Sequence, residues 1–573
     1  MKTIILTIIS AMMCCLAAMA VPAKPTPFTH VQSDGTSLTL TMQGGKFNHA
    51  LMTLDGLTVA MDEKGDYCYT ASGHLSDVLA HNKGYRGIEE QAFITAYRNS
   101  MTLDSPMRHI PRREESNSNP QVPTIGSPRI PIILVNYSDV KFIDANPVAT
   151  FENQFNEKDY SCLHYFEDQS RGKFSPKFEI IGPVELSKTR AYYGGNDSRG
   201  YDMHLGDMII EACEGIDESV DFADYDNDSD GLVDVVVVLF AGVGEAQAWR
   251  TVPESVWPCQ WDMQECYDWG YSATGPFLLD ETRIDKFAVF NELEGSSNTS
   301  TNIDGVGTFC HEFSHCLGLP DFYHTANGFV YGMSTWDIMD HGCYNNDSHT
   351  PAGYSSYERH YMGWMDLIDP VENTNYTMAP LNSPEGTAVK VVNDANTDEY
   401  YLLEYRKLTG WDAYLAAEGI LILHVDYDKN AWDNNTPNNI GSHPRMSIIP
   451  ADNVLTGYSN STDTWPMGAK DSLTNYSIPA ATVYQGGYMN KPITSMRIDS
   501  VQNTASFWFM KAATIVIGDI DGDGEVNISD VSAIIDILLR GGNDDAISQA
   551  DVNGDGEVNI GDVNDVIDII LRG

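Results

Sequence analysis

Basic residues are scarce in this sequence. Its 573 residues include 34 Lys and Arg against 81 Asp and Glu, which gives a formal net charge of −47. A surface with this balance repels the phosphates of nucleic acids and of anionic lipid headgroups. We therefore exclude nucleic acid as a partner and electrostatic adhesion to membranes. The acidic excess suits either a well-solvated exported surface or carboxylates that bind calcium.

Long apolar runs are absent beyond the N-terminus. Residues 1–20, MKTIILTIISAMMCCLAAMA, combine a lysine, a short apolar run and a small-residue end, the pattern of a secretory signal peptide cleaved after Ala20. A membrane anchor is the alternative, but the run is short for a bilayer span. We expect a secreted protein without a membrane span, extracellular or attached to a cell surface.

The sequence also lacks any CxxC pair, so a cysteine-based zinc site is not expected. Cysteines other than Cys14 and Cys15 occur at Cys68, Cys162, Cys213, Cys259, Cys266, Cys310, Cys316 and Cys343. Cys259 with Cys266 is the one disulfide that the spacing suggests in an exported protein. Cys310 and Cys316 are interpreted as core residues.

The stretch TFCHEFSHCLGLPDFY (308–323) contains a metal-binding pattern. His311 and His315 are four residues apart and share one face of a helix, while Glu312 lies about 100° around it. Gly318 can end the helix in a left-handed conformation, so that the chain folds back and Asp321 supplies a third ligand. Two histidines, a carboxylate and an open position are typical of a catalytic zinc site.

These residues also indicate a reaction. A catalytic zinc activates water and polarises a carbonyl group. Glu312 is placed to accept the proton of that water and to pass it to the departing amine, so we expect hydrolysis of a protein or peptide substrate. His324 and His341 are alternatives for the third ligand, but the spacing favours Asp321.

HEFSHCLGLPD resembles the extended motif of the immune inhibitor A family of secreted bacterial metallopeptidases, which is related to the metzincins. The stretches YFEDQSRGKFSPKFEIIGPV, DFADYDNDSDGLVDVVVVLFAGVGEAQ and YERHYMGWMD are also similar to this family, and the resemblance covers roughly residues 30–510. It implies zinc endopeptidase activity and a pro-segment before about residue 120. Met339 in STWDIMDHG matches the methionine turn below the zinc, and Met333 is the alternative.

The resemblance leaves open how a pro-segment would block the zinc. Cys68 could donate a thiolate to the open position, but no supporting motif surrounds it. Arg112-Arg113 is a candidate processing point within an exposed, Ser-, Asn- and Pro-rich linker.

One acidic loop lies inside the candidate catalytic region. DYDNDSDGLVD places Asp226, Asp228, Asp230 and Asp234 at positions 1, 3, 5 and 9 of a calcium loop. Position 12 is not acidic, so the pattern is incomplete, and a solvated acidic turn is the alternative. A calcium ion here would stabilise the following strand.

The C-terminus contains two copies of a stronger calcium pattern. The predicted ligands are Asp519, Asp521, Asp523, Glu525 (through its carbonyl), Asn527 and Asp530 in the first loop, and Asp551, Asn553, Asp555, Glu557, Asn559 and Asp562 in the second. Each loop precedes apolar residues at helical spacing. Two such loop–helix units resemble a type I dockerin, which implies a cohesin-bearing scaffold or surface protein as partner. In that family the pairs Ile528-Ser529 and Ile560-Gly561 would lie at the contact; a calcium-stabilised cap without a partner is the alternative.

Alternating, apolar and turn-rich stretches divide the chain. We expect a signal peptide (1–20), a β-rich pro-segment (21–120), a zinc metallopeptidase catalytic domain (121–370), a β-sandwich-like domain (371–512) and a dockerin with two calcium loops (515–573). The fold class is multidomain: an α/β metzincin-like peptidase, flanking β-rich domains and a small α-helical calcium-binding dockerin. One catalytic zinc, two dockerin calcium ions and one further calcium are expected.

The main alternative is a catalytically inactive peptidase-fold adhesin, or a carbohydrate- or protein-binding module built on the β-rich domain. Intact Glu312 and the three predicted ligands favour the enzyme. The tryptophans of the β-rich domain, Trp411, Trp432 and Trp465, are interpreted as core or loop aromatics.

Overall fold

The computed structural model describes residues 19–46, 48–71, 74–101, 121–325, 330–455, 459–511, 517–521, 525–541 and 549–572. Most of the predicted signal peptide, the candidate processing point Arg112-Arg113 and the calcium ligand Asp523 lie outside these residues. Within the described part of the chain, no helix is both long enough and apolar enough to cross a bilayer.

The N-terminal part is a short strand followed by an antiparallel sheet. Its elements are β1 (Met19–Ala20), β2 (Phe28–Val31), β3 (Ser37–Gly45), β4 (Asn48–Thr53), β5 (Thr58–Met61), β6 (Tyr67–Ala71), β7 (His74–Leu79) and α1 (Ile88–Met101). Strands β2 to β7 pair in sequence order. In β3, Leu38 and Leu40 enter the core of this sheet, whereas the end of the strand is buried on both faces because Met42 packs into the central core.

The central part contains a six-stranded mixed sheet. The strands of the central part are β8 (Arg129–Asn136), β9 (Lys177–Glu185), β10 (Val236–Val243), β11 (Cys259–Asp262), β12 (Phe277–Leu279), β13 (Thr282–Ile284) and β14 (Lys286–Leu293); β12 and β13 form a separate two-stranded sheet. The sheet order is β1-β11-β14-β10-β8-β9, with β14, β10, β8 and β9 parallel. Strand β11 is antiparallel to β14, and β1 is antiparallel to β11.

Helices cover this sheet. They are α2 (Pro147–Glu152), α3 (Cys162–Ser170), α4 (Arg190–Gly194), α5 (Leu205–Glu214), α6 (Glu245–Ala248), α7 (Met263–Trp269), α8 (Gly307–Cys316) and α9 (Ser356–Tyr361). Shorter helical turns are Asn153–Glu157, Phe222–Tyr225, Ser334–Trp336 and His341–Tyr344. Every residue of β10 is buried, as expected for a parallel strand covered on both faces, which explains its continuous apolar sequence.

A β-rich part follows. Its elements are β15 (Thr374–Met378), β16 (Ala388–Asn393), β17 (Asn396–Arg406), a turn at Gly410–Tyr414, β18 (Gly419–Asp426), α10 (Lys429–Asp433), β19 (Met446–Ile448), β20 (Thr482–Val483), β21 (Gly487–Tyr488), β22 (Ile493–Asp499) and β23 (Thr504–Phe509). A four-stranded sheet (β16-β17-β18-β19) and a three-stranded sheet (β15-β23-β22) share one apolar core.

The four-stranded sheet is buried on both faces. Tyr401 and Leu403 of β17 enter the core between the two sheets, whereas Tyr400 and Leu402 enter the central core. The β-rich part is therefore packed directly against the central part. Trp411, Trp432 and Trp465 are all buried, as the sequence indicates, and present no aromatic surface.

The C-terminal part contains α11 (Ile528–Arg540) and α12 (Ile560–Arg572). They pack through Val531, Ile534, Val563 and Val566, which repeat at helical spacing. This apolar cluster is separate from the other cores.

The suggested Cys259–Cys266 disulfide is a wrong expectation. Both thiols are free and buried, as are the other cysteines of the described residues. Cys259 lies in β11 and Cys266 in α7, and each fills the central core as a small apolar side chain. Cys310 and Cys316 are fully buried, which confirms them as core residues.

Candidate metal centre and catalytic cleft

The two histidines of the motif lie on one buried helix. Helix α8 carries His311 and His315, and it ends where Gly318 adopts a left-handed φ of 95°, as predicted. The chain then folds back and brings Asp321 to the histidines. Asp321 Oδ1 lies 3.1 Å from His311 Nε2 and 3.4 Å from His315 Nε2. The three predicted ligands therefore converge in the interior.

Backbone carbonyls set the orientation of both imidazoles. His311 Nδ1 donates to the carbonyl of Ile338 at 2.7 Å, and His315 Nδ1 donates to that of Leu319 at 2.8 Å. In neutral rings this leaves both Nε2 atoms as bare acceptors that face a carboxylate oxygen. Facing acceptors need a cation between them, and a carbonyl partner on the second ring nitrogen is the usual support of a metal-binding histidine.

The donor set fits zinc. Two ligand atoms at the usual bond length from a tetrahedral zinc are about 3.3 Å apart, and Asp321 Oδ1 lies 3.1 and 3.4 Å from the two imidazole nitrogens. His315 Nε2 is buried without a hydrogen bond in the described residues. Burial raises the pKa of Asp321, but positive charge on His315 and His311 would lower it to about 2, so positive charge at this position favours the ionised carboxylate.

Asn435 holds the third ligand, Asp321, in place, and the turn that contains Met339 holds His311. Asn435 accepts from the Asp321 amide and donates to its Oδ2, both at 2.6 Å. The Phe322 amide donates to the carbonyl of Met339 at 2.8 Å. Met339 is fully buried next to Ile338, the acceptor for His311, so the turn that contains it contacts the histidine–aspartate group directly.

The alternative ligands lie outside this group. The set of converging ligand atoms includes neither His324 nor His341 within the described residues, and His341 Nδ1 contacts Asp340 Oδ1 at 2.5 Å. Cys68 lies in β6, paired with Ala60 and Leu79 of its own sheet.

Glu312 is buried beside the three ligands. Its Oε1 accepts a hydrogen bond from the Val21 amide at 2.7 Å, whereas Oε2 has no hydrogen-bond partner in the described residues. Burial and the charge of Asp321 raise the pKa of Glu312 well above its usual value, and the amides of Val21 and Gln260 oppose this shift. A carboxylate with a raised pKa next to a metal site is suited to accept and return a proton.

The N-terminal segment occupies the cleft next to Glu312. Met19 and Ala20 pair with Gln260 and Cys259 of β11, the edge strand. Buried side chains then bind the carbonyls of the following residues: Tyr323 donates to Ala20, Trp257 to Val21 at 3.1 Å and Tyr344 to Pro22 at 2.6 Å. An extended segment is therefore held along the edge strand by the contacts that a peptide substrate would need.

The loop of Asp226 is partly assembled. Asp226, Asp228 and Asp230 bring carboxylate oxygens within 4.8 Å of one another. The fourth predicted ligand, Asp234, is not part of this group, and its carboxylate accepts from the amide and side chain of Asn227.

The two C-terminal loops have matching hydrogen bonds. Asp530 Oδ1 accepts from the amides of Ile520 and Asp521, and Asp562 Oδ1 accepts from those of Val552 and Asn553. In both loops the other carboxylate oxygen accepts from the asparagine that begins the helix, Asn527 or Asn559, at 2.8 Å.

The loops differ in how many acidic ligands converge. Asp519, Asp521 and Asp530 form a group of converging carboxylates in the first loop. In the second loop the position of Asp521 is taken by Asn553, which is not acidic; Asp551 accepts from the amides of Asp555 and Gly556, and Asp555 accepts from that of Glu557.

Comparison with known families identifies two parts of the chain. Residues 135–365 match the family described as immune inhibitor A peptidase M6, catalytic domain, and residues 517–571 match the dockerin type I domain. The chain contains an M6 peptidase catalytic domain and a type I dockerin domain. The M6 match includes the three converging ligands and Glu312, and the dockerin match includes both acidic loops.

Individual relatives agree with the M6 match. The chain is similar to pre-pro-metalloprotease PrtV of Vibrio cholerae serotype O1, with 25% identity over 40% of this chain and 26% of that protein. It is also similar to immune inhibitor A of Bacillus thuringiensis subsp. alesti, with 23% identity over 42% of this chain and 41% of that protein. The aligned regions thus span well under two thirds of these relatives.

Several residues of the M6 cleft were not predicted from the sequence. Asn435 is 114 positions from Asp321, and no local motif marks it. Trp257, Tyr323 and Tyr344 are single aromatic residues that the sequence presents as ordinary core.

Proposed function

We propose that this protein is a secreted zinc-dependent endopeptidase, tethered through its dockerin to a cohesin-bearing scaffold or surface protein. One observation carries the proposal: two imidazole nitrogens and the Asp321 carboxylate converge beside buried Glu312, next to the edge strand β11. The candidate metal ligands and Glu312 thus lie next to a strand that can pair with an extended peptide substrate.

The chain's own residues would divide the reaction. His311, His315 and Asp321 would hold zinc, which when bound activates water and polarises the scissile carbonyl. Glu312 would take a proton from the attacking water and return it to the departing amine. Strand β11 would pair with the substrate backbone, and Trp257 would donate to a substrate carbonyl as it does to Val21.

The sheet arrangement supports a metzincin-like fold. A mixed sheet with one antiparallel edge strand lies above a long buried helix that carries the histidines, and Met339 lies in the turn next to them. Met333 begins a separate helical turn, Ser334–Trp336, so Met339 is the better candidate for the methionine turn.

The N-terminal segment supports assignment of residues 21–120 as a pro-segment. Residues 21–24 lie in the cleft beside Glu312, so a substrate cannot reach Glu312 while they are bound. We assign residues 121–370 as the catalytic domain, 371–512 as a β-sandwich-like domain and 515–573 as the dockerin. The predicted cleavage after Ala20 falls directly before this bound segment.

Calcium would have structural roles. Dockerin domains bind calcium, and we propose one ion in each C-terminal loop, with Asp530 and Asp562 as the closing carboxylates. A third ion would bind Asp226, Asp228 and Asp230 before β10. The exposed Ile528 and Ile560 begin the two dockerin helices and would contact the cohesin.

The zinc and peptidase assignments are tested together. Processed protein is assayed for zinc content and for casein hydrolysis, with and without 1,10-phenanthroline. We expect about one zinc per chain, loss of activity with the chelator and recovery on addition of zinc. Glu312→Gln should retain zinc and lose about a hundred- to ten-thousandfold in rate, whereas the exposed Glu218→Gln should behave as wild type.

The binding-protein alternative has a distinct outcome. Zinc bound at full occupancy without cleavage of casein, even after removal of the pro-segment, would favour an inactive peptidase-fold adhesin. Docking is tested by pull-down with type I cohesins in calcium and in EGTA, and capture that does not depend on calcium would contradict the dockerin assignment.

A further inference from the structure

A buried lysine of the N-terminal sheet is inserted into the M6 domain. Lys46 lies at the tip of the β3–β4 hairpin, where a lysine is usually in solvent. Its side chain is only 1% exposed and forms an ion pair with Asp202, which is fully buried. The hairpin thus delivers a cation to a carboxylate of the M6 domain.

The receiving pocket has two carboxylates and spare acceptor atoms. Beside Asp202 lies Glu245, at the start of α6, which accepts from Asn196 Nδ2 at 2.6 Å. Asp202 Oδ1 and Glu245 Oε2 are buried and have no hydrogen-bond partner in the described residues. Buried acceptors without donors are costly, so this pocket is suited to a ligand with several N–H groups.

The charge of the pocket matches one cation. Burial and the charge of Asp202 raise the pKa of Glu245 to about 8, whereas the pKa of Asp202 is about 6, because burial raises it and Lys46 opposes the shift. Burial therefore favours the neutral forms of both carboxyl groups, and the Lys46 ammonium favours the ionised form of Asp202. A single ammonium or guanidinium balances the charge of the ionised Asp202.

The pocket adjoins the bound N-terminal strand. Trp257 connects the two: its backbone amide faces Asp202 Oδ2 at 3.4 Å, and its indole donates to the Val21 carbonyl. Glu245 is next to Ala246, whose carbonyl accepts from the Lys24 amide at 3.0 Å. A side chain of a peptide bound in place of residues 21–24 could therefore enter the pocket once the hairpin has left.

We propose that Asp202 and Glu245 form a substrate subsite for a lysine or arginine side chain, and that Lys46 occupies this subsite in the latent protein. The inference rests on the proposed peptidase function and adds its substrate class. Lys46 offsets the carboxylate charge of Asp202 in the latent protein, and a basic side chain of a substrate would offset it in the same way once the hairpin has left. Arginine, with five N–H donors, can also reach the unpaired acceptors.

The test uses processed protein and fluorogenic peptides that differ at one position at a time, with Lys, Arg, Gln, Met or Glu. We expect one position at which Lys and Arg raise kcat/KM about 10- to 100-fold over Met and Gln, with Glu the poorest. Asp202→Asn with Glu245→Gln should reduce this ratio to less than about threefold. Glu218→Gln, an exposed carboxylate of the same domain, should keep it.

A second measurement does not depend on the folding of those variants. In the unprocessed chain, Lys46→Met should raise basal cleavage at least several-fold, and Lys46→Arg should not. In processed wild type, n-butylguanidinium should inhibit cleavage of the Met peptide, and n-butanol should not.

The outcomes are separable. Cleavage of casein without any preference for basic residues would overturn the subsite and leave the peptidase assignment intact. A basic preference that survives in the double variant would place the subsite elsewhere and also overturn the inference. If no peptide and no casein is cleaved, the proposed function itself fails, and the subsite with it.

Discussion

The orientation of single side chains decides whether the histidine–aspartate group can bind a metal. His311 and His315 face Asp321 with Nε2 because two carbonyls hold their Nδ1 atoms, and Asp321 faces them because Asn435 holds it by two hydrogen bonds. Loss of a residue that hydrogen-bonds to a metal ligand commonly lowers the metal affinity of the site by about 10- to 100-fold.

Removal of the Asn435 side chain should therefore weaken zinc binding. Asn435 has a left-handed φ of 53°, so Asn435→Gly keeps the backbone conformation and removes only the amide. We expect a loss of about 10- to 100-fold in zinc affinity, measured by competition with a chromophoric chelator. Asn434→Ala is the control, since among the described residues the Asn434 side chain hydrogen-bonds only to Asn430. Equal zinc affinity in both variants would contradict the role of Asn435.

A second residue-scale prediction concerns Glu399 in the β-rich part. Burial raises its pKa, but His424 and the amides of Tyr484 and Gln485 lower it to about 2. Because the pKa in the folded protein lies below the ordinary value of 4.5, the stability that Glu399 contributes is present above about pH 4.5 and is lost as the pH falls towards 2.

Glu399→Gln should lower the melting temperature at pH 7 and make it less sensitive to acid. Measured by calorimetry, the difference in melting temperature between wild type and variant should shrink from pH 6 to pH 3. Glu385→Gln, an exposed carboxylate of the same part, is the control. A difference that stays constant over this pH range would contradict the lowered pKa.

At the scale of elements, local sequence predicted much but not all of the fold. The apolar runs at β8 and β10 and the helix α5 were recognisable because burial on both faces leaves a continuous apolar sequence, and an amphipathic helix leaves a period. The position of β1 could not be predicted. Its partner β11 lies about 240 residues away, and a strand of two residues is too short to show an alternating pattern.

The same limit applies to the candidate site. HExxH with Gly318 and Asp321 is local, so helical geometry alone predicts that these residues converge. Asp202, Glu245 and Lys46 come from three separate elements and share no spacing. The acidic loops were recognisable as patterns, but the sequence did not indicate that Asp234 would turn to Asn227.

A buried ion-pair network of the β-rich part is hydrogen-bonded to the M6 domain at the backbone of Gly353. Arg406 binds Asp412 with two nitrogens and Glu404 with a third contact, and it donates to the carbonyl of Gly353. All three charged side chains are at most 1% exposed. Removal of the cation would leave two carboxylates buried without their partner.

Arg406→Met should destabilise the protein by about 3–5 kcal/mol, the usual cost of breaking a buried pair. Arg497→Met, at an exposed position of β22, should change it little. Urea unfolding followed by tryptophan fluorescence measures both. Because Gly353 belongs to the M6 domain, the Arg406 variant should also lose peptidase activity at a lower urea concentration than wild type. Equal urea midpoints of unfolding for the Arg406 and Arg497 variants would contradict this account.

The dockerin helices depend on their loops. Residues 518–573 contain 14 acidic residues and two arginines, and Asp530 and Asp562 close their loops through hydrogen bonds to three amides each. Without cations, repulsion between the remaining carboxylates opposes this closure.

Residues 515–573 should therefore lose most of their helical circular dichroism in EGTA and regain it with calcium, but not with magnesium alone. Asp551→Asn should raise the calcium concentration needed. Asp568→Asn should not, because Asp568 is an exposed helix residue that pairs with Arg572 and is not a predicted calcium ligand. Full helicity in EGTA would contradict calcium-dependent folding.

At the scale of the whole molecule, the N-terminal part acts on the M6 domain at two linked points. Residues 21–24 lie in the cleft with Val21 against Glu312, and Lys46 fills the pocket beside them; the Ala23 amide joins the two points by a bond to the Gly44 carbonyl at 2.7 Å. Because both contacts are buried, we expect the N-terminal part to remain bound after a cut in the linker and to be released only slowly.

An engineered protease site at Arg112-Arg113 tests this expectation. The uncut chain should be latent, and cutting alone should give little activity at high protein concentration. Dilution should then raise the specific activity, because the cut N-terminal part binds as a separate molecule whose dissociation follows mass action. Purified residues 21–112 should restore latency when added back, and the same fragment with Lys46→Met should need a higher concentration.

The matched control is the same protease site after Lys511, where a cut releases the dockerin and should leave latency unchanged. Full activity of the uncut chain, or specific activity that does not change on dilution, would show that the segment in the cleft does not control access to Glu312.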